Sequence, residues 1–337
     1  MDRPLIFMDP WPRTEAMVLT PDTRAALEAL GELVVHFGDR APDALIERHI
    51  GRMAILIGQT AMPRERLDRA PHLRAIVNVK GNWEPNVDYA AAQARGIHVL
   101  SAAPAMAPAV AEMCVGLAIA LGRGIVGADK AFRAGTEAYG IAGNGRALSL
   151  YGAPVGLIGY GNLGRALVPL LRPFGPAIRV HDPWLSDGYL AAQGVAPASL
   201  DDVLRLSRVL FVLAGVTVDN EGFLDRAKLA TIPADTCVVL ASRAEVVDFD
   251  ALVAMAGDGR FRAAIDVFPQ EPAPADAPVR AVGGDTILSA HRAGGIADSY
   301  ARIRAMMVDD VAQILAGHPP QRLQRAEPAQ AAAMRSR

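Results

Sequence analysis

This sequence contains few cysteines and few lysines, and its net charge is close to zero. Its 337 residues include only two cysteines, Cys114 and Cys237, and each lies in an apolar run, so we expect two buried free thiols. Since there is no CxxC pair or Cys/His cluster, the sequence predicts no metal site. The formal net charge of −2 leaves no broad basic surface for DNA or RNA, so nucleic acid is not an expected partner.

A long apolar run and a targeting segment are also missing. The apolar stretch in MDRPLIFMDP is too short for a signal peptide, and the longest apolar candidate, Val110–Leu121, contains Glu112. We therefore expect a soluble cytoplasmic protein with no membrane partner. Hydrophobic residues make up 51% of the chain, which excludes a mostly disordered protein. At about 100–200 residues per domain, the length favours two domains.

Short apolar runs alternate with helical patterns along the first hundred residues. This alternation is typical of an α/β domain with a parallel sheet covered by helices on both faces. A helical pattern at Pro108–Gly122 is apolar on nearly every side, which suits a buried connector or a contact with a second subunit. The predicted strands in this region are Leu5–Met8, Leu33–His36, Ala54–Ile57, Ala75–Val79 and Ile97–Leu100.

A second series of strands and helices follows from residue 155. An amphipathic helix from Ile296 to Gly317 ends the series, and we expect the Ala/Gln/Arg-rich segment 326–337 to be a flexible tail. The predicted strands of the second series are Val155–Ile158, Ile178–His181, Val209–Leu213, Cys237–Leu240, Ala263–Val267 and Thr286–Leu288. The predicted helices between them are Leu163–Leu171, Leu200–Leu206 and Phe249–Met255.

A glycine-rich turn, Gly159-Tyr160-Gly161-Asn162-Leu163-Gly164, follows the strand that ends at Ile158 and opens a helix. This is the context that a dinucleotide fingerprint requires, because the glycines permit a tight turn, close approach of a pyrophosphate, and helix–strand packing. The next strand ends at Asp182, where an acid can bind a ribose diol and repel a 2′-phosphate. The pattern favours NAD over NADP, although Asp182 alone could equally start an Asp-Pro turn.

Three polar residues, Arg243, Glu271 and His291, stand just after strands of the second series. Ligands bind at the carboxyl ends of strands in open α/β sheets, so these side chains can converge on one crevice. Arg243 suits a carboxylate clamp that also polarises a 2-oxo group. His291 suits proton transfer, and Glu271 can orient and charge its imidazole. The nicotinamide would carry the hydride.

The motifs VGLIGYGNLG, VHDPW, SRAEVVDFDAL, AAIDVFPQEP and LSAHRAGG, in this order, resemble those of the D-isomer-specific 2-hydroxyacid dehydrogenase family. The resemblance implies an α/β fold of two Rossmann-like domains. A discontinuous flavodoxin-like substrate domain would span 1–104 and 295–325, and an inserted NAD-binding Rossmann domain 105–294, with homodimers forming through the cofactor domains. It also implies hydride transfer between NAD(H) and an (R)-2-hydroxy acid or its 2-oxo acid.

The resemblance also distributes roles among the residues. Arg243, Glu271 and His291 take the catalytic roles, Asp182 takes the ribose contact, and Asp266 resembles the acid that holds the nicotinamide amide. The glycine-rich substrate loop of the family corresponds to residues 79–86. The predicted cofactor site is completed by Ala214, Thr217 and Ser242. The predicted substrate-binding residues are Lys80, Gly81, Asn82, Arg243 and His291.

The sequence departs from the family pattern at several positions, so the resemblance does not identify the substrate. Ala244 stands where glycine usually follows the arginine, and Arg292 follows the histidine. The substrate loop is longer by one or two residues and contains Lys80, which also resembles phosphite dehydrogenase, and Trp83, which we expect either to pack between domains or to cover substrate. Two alternatives therefore remain: a dehydrogenase of another small anion, and an NAD(H)-sensing, corepressor-like binding protein.

Overall fold

The computed structural model describes residues 3–283 and 285–333. The chain forms two compact units, unit 1 (residues 1–107 and 295–337) and unit 2 (residues 108–294). The chain therefore leaves unit 1 after residue 107 and returns to it at residue 295. Both units are α/β, as the sequence predicts.

Unit 1 contains one six-stranded sheet. Its strands are β1 (Leu5–Asp9), β2 (Glu32–Val35), β3 (Met53–Gly58), β4 (Ala75–Asn78), β5 (His98–Ser101) and β13 (Gln324–Arg325). They lie in the order β13-β5-β4-β3-β1-β2, all parallel except β13, which pairs antiparallel with β5. The order of the five parallel strands is that of a flavodoxin-like sheet, so this part of the predicted fold class is confirmed.

Helices cover both faces of this sheet. They are α1 (Glu15–Val18), α2 (Pro21–Leu30), α3 (Asp43–His49), α4 (Arg64–Asp68), α5 (Tyr89–Ala94), α13 (Ala297–Leu315) and α14 (Pro328–Ala333). Because successive strand residues point to opposite faces, Phe7 belongs to one core cluster, whereas Ile6 and Met8 belong to the other. Helix α13 buries Ile303 and Met307 in the second cluster.

The C-terminal segment differs from the expected flexible tail. Residues 328–333 form α14, and Ala331 is buried in a core cluster of unit 1. The carboxylate of Asp310, on α13, accepts hydrogen bonds from the backbone amides of Gln321, Arg322 and Leu323 at 2.7–3.2 Å. These bonds fix the chain just before β13. The prediction was wrong for residues 328–333 because alanine-rich composition does not reveal such tertiary contacts, and residues 334–337 lie outside the described part.

Unit 2 contains a seven-stranded, fully parallel sheet. Its strands are β6 (Val155–Ile158), β7 (Ile178–His181), β8 (Ala196–Pro197), β9 (Val209–Val212), β10 (Cys237–Leu240), β11 (Arg262–Ile265) and β12 (Thr286–Leu288). The order β12-β11-β10-β9-β6-β7-β8 reverses direction between β6 and β9, as in a Rossmann fold, which confirms the predicted class. The crevice outside these two strand ends is the expected ligand site. The helices of this unit are α7 (Ile125–Ala134), α8 (Asn162–Leu171), α9 (Asp187–Ala192), α10 (Leu200–Leu206), α11 (Arg226–Leu229) and α12 (Phe249–Gly257).

The long helix α6 (Ala103–Arg123) contains the boundary between the units. By length and composition it could cross a membrane, but more than half of its apolar window is buried within the protein, and core helices pass the same test. Glu112 on this helix is exposed in the single chain, so contact with a second subunit stays a prediction for that face. The following segment, residues 125–151, carries several exposed large apolar side chains.

Both cysteines are free and buried, as the sequence predicts. Burial, with a smaller contribution from the charge of Asp266, raises the pKa of the Cys114 thiol to about 12 from an ordinary value of 9.0. In the unfolded chain this thiol ionises at the ordinary value, whereas the folded protein keeps it protonated. The contribution of this thiol to folding stability is therefore fully present below pH 9 and is lost as the pH rises from 9 towards 12.

We expect Cys114→Ala to flatten the alkaline decline in stability. Because Cys114 holds a proton that the unfolded chain releases, it steepens the decline by at most about 1.4 kcal/mol per pH unit. Urea unfolding of wild type and variant at pH 8, 9 and 10 measures this slope. The absolute stability of the variant also falls, because a buried atom is lost, but only the slope reports the thiol. An identical slope in both proteins would contradict the assignment.

Candidate active site

The glycine-rich turn lies at the point where the strand order of unit 2 reverses. Gly159 follows β6 with a φ of +95°, and a Cβ at this position would lie 2.8 Å from the Cα and N atoms of Ala214, just beyond β9. A Cβ on Gly164 would lie 2.9 Å from the carbonyl oxygen of Gly159. Two glycines are thus required by the close approach of backbone to backbone. Ala214, in the loop after β9, therefore lies directly against the glycine-rich turn.

Gly161 differs from the other two glycines because nothing within 4 Å faces its missing side chain. It is the N-cap residue of α8 and, as a glycine, has no side chain to cap the helix. Open space beside a helix N-terminus suits a pyrophosphate, since the amides and the helix dipole both favour negative charge. The residues present therefore fit a dinucleotide.

Asp182, directly after β7, is tied to the glycine turn. One carboxylate oxygen accepts the Tyr160 backbone N–H at 2.7 Å, and the other accepts the Trp184 backbone N–H at 2.9 Å. The second bond is that of an Asp-Pro turn, so the structural role considered for Asp182 is present. The first bond places its negative charge beside the fingerprint, where it can also accept hydrogen bonds from a ribose diol.

The remaining predicted cofactor residues lie after β9 and β10. The Thr217 amide donates to the side chain of Asn220 at 2.6 Å, and that side chain donates to Gly215 O at 2.8 Å, which closes the loop beyond β9. The hydroxyl of Ser242, beyond β10, donates to Val212 O at 3.1 Å. Asn220 was not predicted from the sequence, where its signal is that asparagine commonly bonds to the backbone of its own loop.

His291 and Glu271 are in direct contact. The Nδ1 atom of His291 lies 2.6 Å from a carboxylate oxygen of Glu271, and the other oxygen of Glu271 accepts the Phe268 backbone N–H at 3.0 Å. Because an ionised carboxylate only accepts, Nδ1 carries a hydrogen and Nε2 is the atom left to exchange a proton. The imidazole is 45% exposed, so the pair is open to a ligand. This arrangement is that of a proton donor oriented by an acid.

The turn that holds His291 is built by Asp266. His291 has a φ of +49°, which is rare for a non-glycine residue, and its amide donates to Asp266 O at 2.7 Å. The carboxylate of Asp266 accepts the amides of Arg292 and Ala293 at 3.0 and 3.2 Å. Asp266 therefore positions the histidine turn, a role that the sequence analysis missed. Its predicted contact with the nicotinamide amide stays a prediction.

Arg243 stands after β10 with a half-buried side chain. Its guanidinium donates to the neighbouring Ser242 carbonyl at 2.7 Å, and it pairs with no carboxylate within residues 3–283 and 285–333. A guanidinium without an acid partner is suited to bind a carboxylate, because its planar donors match that anion. Arg292, which follows His291 in the sequence, has an exposed side chain.

The predicted substrate loop belongs to unit 1 and follows β4. The Lys80 ammonium group lies 3.0 Å from a carboxylate oxygen of Glu84, and a Cβ at Gly81 would lie 3.3 Å from Met106 Sδ. Asn82 is partly buried. The pairing with Glu84 was missed, although the four-residue spacing of opposite charges signals it. Lys80 keeps further N–H donors for an anion, but its charge is balanced locally.

Trp83 packs inside unit 1. It is 4% exposed and packs in a core cluster of unit 1, where its ring meets that of Tyr89 edge-on at 6.3 Å. The Tyr89 hydroxyl donates to the Glu84 carbonyl at 2.5 Å, and burial raises the pKa of Tyr89 to about 12. These contacts anchor the far end of the substrate loop. The apolar ring of Trp83 is explained by this core position.

Within the described ranges no group of three or more His, Cys, Asp or Glu residues is arranged to hold a metal ion. Unit 2 thus presents a dinucleotide turn, a ribose acid, an unpaired arginine and an oriented imidazole at the carboxyl edge of one sheet. Together these groups can bind a dinucleotide, hold a carboxylate and move a proton at a carbonyl or hydroxyl oxygen.

Known proteins share these features. A family profile described as D-isomer specific 2-hydroxyacid dehydrogenase, NAD binding domain, matches residues 115–293. D-3-phosphoglycerate dehydrogenase of Mycobacterium bovis is 30% identical over 260 residues, which cover 77% of this chain and 48% of that protein. The chain therefore spans about half the length of this curated relative. A glyoxylate reductase of Thermofilum pendens is 28% identical over 265 residues and 76% of each chain.

A solved structure is similar over nearly the whole chain. The crystal structure of a phosphoglycerate oxidoreductase from Rhizobium etli has a TM-score of 0.85 and 41% sequence identity, covering 96% of this chain and 99% of that one. A second structure, of the PH0520 protein from Pyrococcus horikoshii, has a TM-score of 0.79 at 25% identity, with coverages of 96% and 95%. The similarity thus includes both units.

Proposed function

Because the chain belongs to the D-isomer specific 2-hydroxyacid dehydrogenase family, we propose that it is an NAD-dependent oxidoreductase. It transfers a hydride between NAD(H) and an (R)-2-hydroxy acid or the matching 2-oxo acid. The observation that carries this proposal is the contact of 2.6 Å between His291 and Glu271, which prepares an imidazole to give or take a proton. Unit 2 is the cofactor domain and unit 1 the substrate domain.

The proposed roles follow from the contacts of each group. The glycine turn and the first turn of α8 hold the pyrophosphate, and Asp182 holds the ribose. When bound, NADH supplies the hydride. Arg243 binds the substrate carboxylate and polarises the 2-oxo oxygen, which gains a proton from His291 Nε2. In unit 1, Lys80, Gly81 and Asn82 are proposed to bind the substrate.

Incubation of the purified protein with NADH and a panel of 2-oxo acids, followed by absorbance at the NADH band, tests the proposal. The panel includes glyoxylate, hydroxypyruvate and 3-phosphohydroxypyruvate, since curated relatives are named glyoxylate reductase and D-3-phosphoglycerate dehydrogenase. We expect substrate-dependent NADH oxidation. NADH binding without turnover across the panel would favour the NAD(H)-sensing alternative. Oxidation of phosphite alone would favour the other alternative, a dehydrogenase of an inorganic anion.

Replacing Asp182 with serine is expected to narrow the preference for NADH over NADPH by about tenfold or more. The carboxylate repels a 2′-phosphate, whereas a serine hydroxyl does not and still offers an acceptor to a backbone amide. The measurement is kcat/KM for both cofactors with one 2-oxo acid. Asp182→Asn is the matched control for shape, since it removes the charge and keeps an acceptor. Equal use of both cofactors by the wild-type protein would refute the assignment.

We also propose that the protein is a cytoplasmic homodimer. Its free buried thiols suit a reducing compartment. Residues 125–151 of unit 2 carry apolar side chains that a monomer leaves in water, including Phe132 at 64% and Ile141 at 89% exposure. An apolar surface of this kind marks a protein contact, and a second copy is the partner that the family resemblance implies.

We expect Ile141→Asp to convert the dimer into a monomer, because a carboxylate would have to be buried in an apolar contact. Light scattering after gel filtration measures the mass. Leu206→Asp is the matched control, since Leu206 is 48% exposed on α10 and lies outside the apolar segment. A monomeric wild-type protein, or an Ile141→Asp protein that stays dimeric, would contradict the proposed interface.

A further inference from the structure

A turn of four residues, Pro10–Arg13, lies at the position where the sheet of unit 1 changes direction. It directly follows β1, whose neighbours are β2 and β3, and a Cβ at Gly58, the end of β3, would lie 1.9 Å from the Asp9 carbonyl oxygen. In open α/β sheets the crevice outside the strand ends at this point is the preferred ligand site. Whatever side chains this turn presents are therefore candidates for ligand contact.

Two arginines stand at this turn. The guanidinium of Arg13 lies 5.7 Å from the ring centre of Tyr300, and its Nε is buried with no hydrogen-bond partner in the described ranges. The guanidinium of Arg40, which follows β2, lies 5.1 Å from the ring centre of Trp11 and donates to the Gln59 carbonyl at 2.9 Å. Stacking on a ring holds each planar group while leaving donors at its edge for an acceptor.

The neighbouring acids are already engaged elsewhere. The Asp9 carboxylate is buried and accepts from Ala41 N at 3.1 Å and Thr60 Oγ1 at 2.7 Å. Asp39 pairs with a histidine, Glu15 with an arginine of α2, and Glu84 with a lysine. Neither Arg13 nor Arg40 forms an ion pair within residues 3–283 and 285–333. The donors at the edges of both guanidinium groups are therefore not taken up by a carboxylate.

Gln59 connects this turn with the substrate loop. In the orientation that satisfies both ends of its amide, the side chain donates to Trp11 O at 2.8 Å and accepts from Val79 N at 3.1 Å. Gln59 is 2% exposed, so this link is fixed. The turn that carries Arg13 is thus joined through one side chain to the residue that precedes Lys80.

We propose that Arg13 and Arg40 form a subsite for a second anionic group on the substrate. This inference rests on the proposed function and adds to it the class of substrate, a 2-hydroxy acid with a distal phosphate monoester or a distal carboxylate. Lys80 is balanced by Glu84, so the two unpaired arginines supply the charge that a second anion requires. Their planar donors match the oxygens of either group.

The test compares two pairs of 2-oxo acids that differ in the distal anion: 3-phosphohydroxypyruvate with hydroxypyruvate, and oxaloacetate with 2-oxobutyrate. We expect wild type to prefer the doubly anionic member of one pair. Arg13→Gln and Arg40→Gln should each lower kcat/KM for that member by about 10- to 100-fold, as expected for a lost charge-assisted hydrogen bond, with the change mainly in KM. For the singly anionic member, kcat/KM should change by less than about threefold. The pair whose doubly anionic member is affected shows whether the subsite binds a phosphate or a carboxylate.

Arg24→Gln is the matched control, because Arg24 is on α2 of the same unit and pairs with Glu15. Arg13→Lys keeps the charge without the planar fork and should give an intermediate loss. Equal losses for both members of each pair, or a wild type that prefers the singly anionic acids, would overturn the subsite and leave the proposed function standing. If wild type reduces none of the four acids or any other 2-oxo acid, the proposed function fails and the subsite with it.

Discussion

Replacing His291 with alanine is expected to lower kcat for 2-oxo acid reduction by about 10²- to 10⁴-fold, the usual contribution of a positioned proton donor. The variant lacks the imidazole Nε2, while the dinucleotide turn is untouched, so the affinity for NADH should stay near the wild-type value. Steady-state rates and a fluorescence titration with NADH measure the two quantities.

Two companion variants separate the proton donor from its neighbours. Glu271→Gln keeps a side chain of the same shape but loses the charge-assisted hydrogen bond to Nδ1, so it should reduce kcat less than the loss of the ring does. Arg243→Ala should raise KM as well as lower kcat, because the guanidinium holds the substrate in both ground and transition states. A fully active His291→Ala enzyme would contradict the proposed mechanism, and Lys80 would then be the first alternative donor.

The second large effect is expected at the glycine turn. A methyl group at Gly159 would lie 2.8 Å from backbone atoms of Ala214, and the φ of +95° is unfavourable for alanine. Strain and overpacking each cost about 1–3 kcal/mol, so Gly159→Ala should unfold at a much lower temperature and bind no NADH. Gly161→Ala should keep its melting temperature, because nothing faces that position, yet bind NADH about tenfold more weakly, since the methyl group occupies the space for the pyrophosphate.

The contrast between these two glycines is the informative result. Calorimetry gives the melting temperature, and a titration with NADH gives the dissociation constant. Gly188→Ala is the matched control, since its position on α9 is open and lies away from the turn. If Gly161→Ala bound NADH as tightly as wild type, the cofactor would not approach the backbone there. If Gly159→Ala were as stable as wild type, the contact with Ala214 would be unimportant.

The longer strands could be predicted to within two residues at each end, whereas the two-residue strands β8 and β13 were missed. Val155–Ile158 and Cys237–Leu240 are predicted and observed with identical bounds, because strands buried on both faces are short apolar runs between turn residues. The short helices α3 and α4 were missed, since they are largely charged and only seven and five residues long. Their stability comes from packing, which a local pattern does not show.

Part of the candidate site could likewise be predicted from the sequence, and part could not. Glu271 and His291 were predicted to act together, because they follow adjacent strands of the motif series, and the structure brings them into contact. The support that Asp266 gives to the backbone of Arg292 and Ala293 depends on a left-handed turn at His291, which no sequence pattern there announces. Contacts to backbone amides of loops are set by the tertiary structure, whereas side-chain chemistry at strand ends is visible in the sequence.

The discontinuity of unit 1 has a consequence for its biosynthesis. The apolar residues of one sheet face, such as Ile6 and Ile57, are covered by α13, which lies about two hundred residues later in the chain. At roughly 5–20 residues per second, a ribosome needs about 10–40 seconds to make that helix after β5. Until then this apolar face of the nascent sheet is covered only in part, by α1 and α2, which makes it a target for a chaperone. Unit 2 can complete its own fold during that interval, so the inserted domain should mature first on the ribosome.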